Sequence, residues 1–195
     1  MKLRAILLGV TLAIAAALPA WAQSNAAERI GLDEVRVGGA LSGVELFPYT
    51  IVLPIVTTFN LANTDSLTAD LYFKTPDLDV FRWLGSPRIA IGGVLNLRGR
   101  ESVVHAGLNW HLPMGEVLFL EADLGVGITN AALSGAPSPF RNVGCPVLLH
   151  WAYGMGANLT ENVTLTARLQ HVSNVTLCSP NDGINTFGVS LGWKF

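Results

Sequence analysis

Apolar side chains occupy every second position in eight segments of the chain, and small, polar or charged side chains occupy the positions between them. Successive side chains of a β-strand point to opposite faces, so each segment predicts a strand with one apolar face and one polar face. The eight segments comprise residues 35–42, 67–73, 88–97, 104–112, 118–126, 143–155, 163–173 and 185–195.

This alternation fits two architectures, because a soluble sandwich buries its apolar face whereas a membrane barrel turns that face to lipid. Three features favour the barrel. The predicted strands are about 9 to 12 residues long, enough to cross a bilayer at a tilt, and their number is even. The chain also ends in an aromatic residue on the apolar side, Phe195, with Trp193 close by. We therefore predict an all-β fold, an eight-stranded antiparallel transmembrane β-barrel of the outer membrane, whose closure leaves no open edge in lipid.

The first 22 residues have the features of a secretory signal peptide. Lys2 and Arg4 precede an apolar run from Ala5 to Ala17, and the AWA sequence at residues 20–22 fits a small-x-small cleavage site. An uncleaved membrane anchor is the alternative, which the shortness of the run disfavours. We expect residues 1–22 to be removed and residues 23–195 to form a single barrel domain in the outer membrane of a Gram-negative bacterium.

The connections between the strands divide into two sets if both chain ends lie in the periplasm. Residues 45–65, 130–142 and 175–184 are then outer loops, and residues 74–84 form an inner loop. The net charge is −2 and no basic cluster is present. The charge pattern therefore speaks against a nucleic-acid partner, because nucleic-acid binding needs a basic patch or stripe.

The chain has two cysteines, Cys145 and Cys178. An even number of cysteines in an exported chain suggests a disulfide. If the chain turns near residues 160–161 and the flanking strands pair in antiparallel fashion, the two cysteines come to lie almost opposite each other. We therefore predict a Cys145–Cys178 disulfide, with two free thiols as the alternative.

Charged and histidine side chains on the polar face are expected to point into the barrel. A barrel of eight strands is too narrow for an aqueous pore, so its interior is filled with side chains. The spacing of the histidines fits no metal-ligand motif, so we expect no metal and no cofactor. The predicted internal network comprises Arg36, Asp70, Arg88, His105, Glu121, Asp123, His150 and Arg168.

One group of polar residues departs from this pattern because it lies on the apolar face. His171 and Ser173 are two residues apart in the seventh strand, about 6.5 to 7 Å at the backbone, so their side chains can meet. Imidazole can activate a serine hydroxyl when a third group orients it, and Asn185 of the eighth strand lies on the same face. Asn174, Asn181 or backbone amides of the loop could stabilise the oxyanion of an ester intermediate. The alternative is that these residues support the loop at the membrane interface.

The sequence around these residues resembles that of the PagL-type lipid A 3-O-deacylases, also called the acyloxyacyl hydrolase family. QHVSN at residues 170–174 and PNDGI at residues 180–184 carry the specific part of the resemblance. LGSPR at residues 84–88 and AGLNW at residues 106–110 are similar more loosely. The resemblance implies an esterase that removes the acyl chain at the 3 position of lipid A, with lipid A or lipopolysaccharide as substrate and outer-membrane lipids around it.

The resemblance also implies a role for each residue of the motif. The family uses a Ser-His-Glu triad on the outside of the barrel, which makes His171 the base and Ser173 the nucleophile. Asn174 and Asn181 match asparagines that the family places near the oxyanion. The position of the acid is Asn185, an amide, which can orient imidazole but cannot stabilise imidazolium by charge.

Other roles remain open alongside the esterase. Asp182 in the loop is a second candidate for the acid. An inactive structural barrel, or an adhesin-like barrel whose outer loops bind a partner, would keep the same scaffold without a working acid. A second copy of the chain, in a homodimer, is a further partner to consider.

Overall fold

The computed structural model describes residues 31–47, 55–58 and 60–195. The predicted signal peptide, residues 1–22, lies outside these ranges. The described residues form β1 (Leu32–Ser42), β2 (Glu45–Phe47), β3 (Ile55–Thr58), β4 (Thr64–Phe73), β5 (Arg88–Asn96), β6 (Val103–Met114), β7 (Leu118–Thr129), β8 (Val147–Asn158), β9 (Val163–Ser173) and β10 (Ile184–Lys194). They also form a 3₁₀ turn at Leu61–Asn63 and one short helix, α1 (Asp79–Trp83).

Eight strands close into one antiparallel barrel, in the order β1-β10-β9-β8-β7-β6-β5-β4, and β4 pairs with β1 to complete the ring. These strands are 9 to 12 residues long, so the prediction of an eight-stranded barrel is confirmed. The strands β2 and β3 form a separate hairpin within residues 45–65, the segment predicted to be an outer loop. Among the described residues, no helix is long and apolar enough to cross a membrane.

One strand begins later than its pattern predicts. The alternation of residues 143–155 continues into the preceding loop, whereas β8 starts at Val147. Gly144 has a left-handed φ of 68°, and Pro146 has no backbone N–H to give to a β-ladder. Val143 belongs instead to the outer loop, where its N–H bonds to a loop carbonyl at 2.9 Å.

The barrel interior is filled by ion pairs between buried side chains. Arg36 lies 2.8 Å from Glu34 and 2.7 Å from Glu121, and all three are almost completely inaccessible. Arg168 lies 3.0 Å from Asp70 in the same interior. Each of these buried charges has an opposite charge beside it, which offsets the large cost of removing it from water.

The histidines on the polar face pack against other rings. His105 and His150 stack with their ring centroids 4.0 Å apart, and His111 packs on Phe119 at 4.4 Å. Within the part of the chain that the structure describes, no cluster of His, Cys, Asp or Glu has an arrangement that could hold a metal ion.

The apolar face of each strand forms the outer surface of the barrel. Val104 and Met155 are more than half exposed, and Leu165 is 39% exposed. The neighbours of Leu165 on the other face, Thr164 and Thr166, are buried. An apolar outer band around a charged, filled interior is the arrangement that a bilayer requires.

Candidate active site

The ends of β9 and β10 that face the outer loops bring together the three side chains that the sequence analysis selected. His171 and Ser173 are two residues apart in β9 and therefore project from the face that they share with Leu169. The strand register places Asn185 of β10 directly opposite His171. Regular strand geometry and one strand pairing are thus sufficient to assemble this group.

The three side chains form a continuous chain of hydrogen bonds. Nδ1 of His171 lies 2.6 Å from Oδ1 of Asn185, and Nε2 of His171 lies 2.8 Å from Oγ of Ser173. The amide nitrogen of Asn185 donates to the carbonyl oxygen of Val44 at 2.9 Å, so the amide oxygen faces the imidazole. His171 therefore donates from Nδ1 and accepts the hydroxyl proton of Ser173 at Nε2. In this tautomer an imidazole can act as a base towards serine.

The imidazole of His171 is covered on more than one side. Trp151, its neighbour in β8, lies with its ring centroid 5.1 Å away and its ring plane inclined by 26°. The loop before β10 approaches so closely that a Cβ on Gly183 would lie 2.5 Å from Cε1 of the imidazole. Position 183 therefore has space only for glycine while His171 keeps its place.

The two asparagines of the motif occupy different places. The amide nitrogen of Asn174 donates to three loop carbonyls, that of Val143 being the nearest at 2.7 Å. The backbone N–H of Asn174 donates to Oδ1 of Asn181 at 2.9 Å. Asn174 is buried, whereas Asn181 lines a cavity beside Ser173. Among the described residues, none accepts a hydrogen bond from the amide nitrogen of Asn181.

Two outer loops are joined beside this cavity. Cys145 and Cys178 form the predicted disulfide, which connects the loop before β8 with the loop after β9. Asp182 reinforces the connection, because its carboxylate accepts from the backbone N–H of Asn142 at 2.9 Å. Asp182 is therefore engaged by the neighbouring loop, and it is Asn185 that bonds to Nδ1 of His171.

The cavity beside Ser173 has a volume of about 510 Å³. Val175 and Thr176 line it and both have a positive φ, 46° and 65°, which costs of order 1–3 kcal/mol for a non-glycine residue. Arg141 and Glu45 also line it, joined by an ion pair of 2.6 Å. The cavity thus combines an apolar wall with polar groups at the serine, as expected for an amphipathic substrate.

A family model described as lipid A 3-O-deacylase (PagL) matches residues 71–194, which is more than half of the chain. The chain belongs to the PagL lipid A 3-O-deacylase family. A crystal structure of the outer membrane enzyme PagL has the same fold, with a TM-score of 0.52 and 15% identity over 83% of this chain and 99% of that chain. The protein is therefore an outer-membrane β-barrel of a family of lipid A deacylases.

Other solved barrels are similar at a lower level. A de novo designed transmembrane β-barrel has a TM-score of 0.48 and 8% identity over 85% of this chain and 96% of its own. The outer membrane protein Ail of Yersinia pestis has a TM-score of 0.45 and 15% identity over 85% of this chain and 99% of its own. No curated protein sequence matches the chain.

Three contributors to the site were absent from the sequence analysis. They are the carbonyl of Val44, the ring of Trp151 and the close approach of Gly183. Trp151 belongs to the apolar alternation of β8, and Gly183 belongs to the PNDGI motif. Both residues could therefore have been predicted from the sequence to lie near the site. Val44 lies before the part of the chain that matches the family model.

Proposed function

We propose that this protein is a serine esterase that hydrolyses the ester-linked acyl chain at the 3 position of lipid A. The observation that supports this best is the hydrogen-bonded chain from Asn185 through His171 to Ser173 on the lipid-facing wall. A polar group facing lipid is costly and tends to have a function. Lipids of the outer leaflet would reach Ser173 from the side without leaving the bilayer.

The reaction proceeds in two steps. Nε2 of His171 takes the proton of the Ser173 hydroxyl as Oγ attacks the ester carbonyl. The tetrahedral intermediate then expels the sugar oxygen, which takes that proton from the imidazolium and leaves as a hydroxyl group. An acyl group then remains on Ser173. In the second step His171 takes a proton from water as the water oxygen attacks the acyl-serine. The tetrahedral intermediate then releases the fatty acid, and the imidazolium returns the proton to Oγ of Ser173.

The oxyanion needs hydrogen-bond donors close to Ser173. The amide nitrogen of Asn181 and the backbone N–H groups of Val175 and Thr176 are the candidates at the cavity. Asn174 contributes to the same function by holding the turn, because its side chain binds three loop carbonyls. The strained turn would then present donors that are already oriented before the substrate arrives.

The alternative is an inactive barrel of the same family, used as a structural or adhesin-like protein. One observation favours it, namely the amide at position 185. Where a carboxylate is replaced by an amide in a Ser-His-Asp triad, the rate falls by about 10⁴ because the histidine adopts the wrong tautomer. Here the Val44 carbonyl keeps the amide oxygen on the imidazole, so the correct tautomer is maintained and the enzyme remains the better account.

Mass spectrometry of lipid A distinguishes the two functions. Lipid A would be extracted from cells that express the wild type, Ser173→Ala or Ser134→Ala, a matched change at an exposed loop serine. The wild type and Ser134→Ala should yield lipid A that lacks one acyl group, and tandem spectra should assign the loss to the 3 position. Ser173→Ala should leave lipid A intact. Intact lipid A with all three proteins would support the inactive barrel.

A further inference from the structure

The hairpin of β2 and β3 packs against the outer wall of the barrel beside the candidate active site. Val44 and Leu46 are each 2% exposed and form one apolar cluster with Leu41 and Trp151. Leu169 and Phe187, from the lipid-facing sides of β9 and β10, pack on the same cluster. An outer loop therefore covers a part of the wall that would otherwise contact lipid.

Two further features hold the start of this hairpin in place. Gly43 has a left-handed φ of 67°, which allows the chain to turn sharply at the end of β1. Glu45 forms an ion pair of 2.6 Å with Arg141, which belongs to the loop on the other side of the cavity. Val44 lies between these two anchors, so its carbonyl group has a defined position.

That carbonyl makes a contact with direct consequences for the site. It accepts from the amide nitrogen of Asn185 at 2.9 Å, while the amide oxygen lies 2.6 Å from Nδ1 of His171. An amide has one donor end and one acceptor end, so the contact with Val44 decides which end faces the imidazole. A carboxylate at position 185 has acceptors only, and one of its oxygens would meet the Val44 oxygen at hydrogen-bond distance.

We propose that the β2–β3 hairpin, together with Val44 directly before it, is a positioning element for the reaction. Through the Val44 carbonyl it orients the amide of Asn185, and through Asn185 it fixes the tautomer of His171. This inference rests on the proposed serine hydrolysis for its effect on rate, although the tautomer itself can be measured independently. It also explains why an amide at position 185 is compatible with a working triad, since the docked hairpin selects an amide over a carboxylate.

With the hairpin docked, a carboxylate at position 185 should change the rate in the direction opposite to that expected from the triad alone. In a Ser-His pair without a charged partner, adding a carboxylate should accelerate the reaction. With the hairpin docked, Asn185→Asp should instead lower kcat about tenfold, because the carboxylate is repelled by Val44 and no longer holds Nδ1 of His171. The change should appear in kcat more than in KM, since substrate contacts are untouched.

A double-mutant cycle tests whether the hairpin is responsible. Leu46→Ser should weaken the apolar packing that docks the hairpin, and Leu61→Ser, at an exposed position of the same outer loop, is the matched control. In the protein with Asn185, Leu46→Ser should lower kcat about tenfold. In the protein with Asn185→Asp the same change should raise kcat, because the carboxylate is then free to bind His171. Equal losses in both backgrounds, or a faster enzyme from Asn185→Asp alone, would overturn the proposal.

Nitrogen NMR of ¹⁵N-histidine-labelled full-length protein in detergent micelles gives a readout that does not need activity. His171 should have its proton on Nδ1 in the wild type and in Leu61→Ser. Leu46→Ser and Asn185→Asp should each populate the other tautomer, with the barrel intact by circular dichroism. A tautomer that is unchanged in both variants would refute the positioning role. If the wild type has no deacylase activity but the tautomer changes as described, the positioning stands and the proposed function fails.

Discussion

The barrel contains two polar clusters that differ in charge and in whether all their polar groups are paired with each other. Inside the barrel, Arg36 is held between Glu34 and Glu121, and every member of this group is charged and paired. On the outer wall, Asn185 and His171 are neutral partners in a hydrogen-bonded chain that ends at Ser173. In the inner cluster every charged group has a charged partner. The hydrogen-bonded chain of the outer cluster instead ends at the hydroxyl group of Ser173, beside a cavity.

This difference separates a structural role from the proposed chemical one. Charges in the interior have other charges as neighbours, so they can satisfy each other and fill the barrel. A charge on the lipid-facing wall would have hydrocarbon on one side and would cost much more. A neutral amide at position 185 therefore suits the outer wall, provided that another group orients it, and the Val44 carbonyl is placed to do so. Polar side chains on the two faces of the barrel wall thus suit different roles.

The sharpest test of this comparison uses one histidine from each face of the barrel wall. His171→Gln removes the proposed base and should lower the deacylation rate by about 10⁴-fold or more, as in other serine hydrolases that lose the base. His150→Gln, inside the barrel, removes a ring that stacks on His105 and should leave the rate within about threefold. Rates would be measured with purified proteins on lipid A in detergent micelles. Equal losses in the two variants would show that the wall cluster has no special role.

The second test addresses stability and is expected to affect only the inner cluster. Glu121→Gln leaves the buried Arg36 with one carboxylate fewer, which should lower the free energy of unfolding by about 3–5 kcal/mol. Glu116→Gln, at an exposed turn position, is the control and should have almost no effect. Urea unfolding of refolded protein measures both. The activity of folded Glu121→Gln should stay close to that of the wild type, and a large loss of rate without a loss of stability would contradict the separation of roles.

The third test concerns the loops that surround the outer cluster. Replacing Cys145 and Cys178 together by serine removes a link across 33 residues, which should lower stability by about 2–4 kcal/mol. Urea unfolding with and without reductant provides the measurement. Reductant should destabilise the wild type and leave the double variant unchanged. A wild type that is insensitive to reductant, although the thiols are shown to be reduced, would mean that the hydrogen bonds of Asn174 and Asp182 alone hold the loops.

Features that depend on local geometry could be predicted from the sequence. The two-residue period of β-strands is enough to assign faces, so the separation of charged from apolar side chains and the shared face of His171 and Ser173 follow from alternation. Strand length, the even number of strands and the aromatic end of the chain were needed in addition to predict a barrel. The pairing of β9 with β10 then places Asn185 opposite His171. The Cys145–Cys178 disulfide could be inferred in the same way, although Cys145 lies in a loop and not in the strand that the pattern indicated.

Features that depend on how loops fold back could not be predicted. Every residue has a carbonyl group, so no side-chain pattern marks that of Val44 as the partner of Asn185. The docking of the β2–β3 hairpin is a contact between distant parts of the chain that alternation does not encode. The partner of Asp182 was similarly undetermined, because a loop carboxylate can reach several groups, and the structure places it on the backbone of Asn142.

The smallest expected effect tests the fit between a loop and the imidazole. Gly183→Ala adds one methyl group, which would lie 2.5 Å from Cε1 of His171 in the present geometry. Either the loop or the ring has to move, and a displacement of the ring lengthens its bond to Ser173. We expect the deacylation rate to fall about tenfold, because a small misplacement of a catalytic group is costly even when the group itself is retained.

A matched glycine shows whether the added methyl group acts through His171. Gly39 lies in β1, where a Cβ would meet its nearest neighbouring atom at 3.9 Å, an ordinary contact distance, so Gly39→Ala should leave the rate unchanged. Nitrogen NMR should report a changed environment for His171 in Gly183→Ala and none in Gly39→Ala. If Gly183→Ala changes the spectrum of His171 without lowering the rate, the base tolerates displacement, and the close packing of the loop serves the structure of the outer wall and not the reaction.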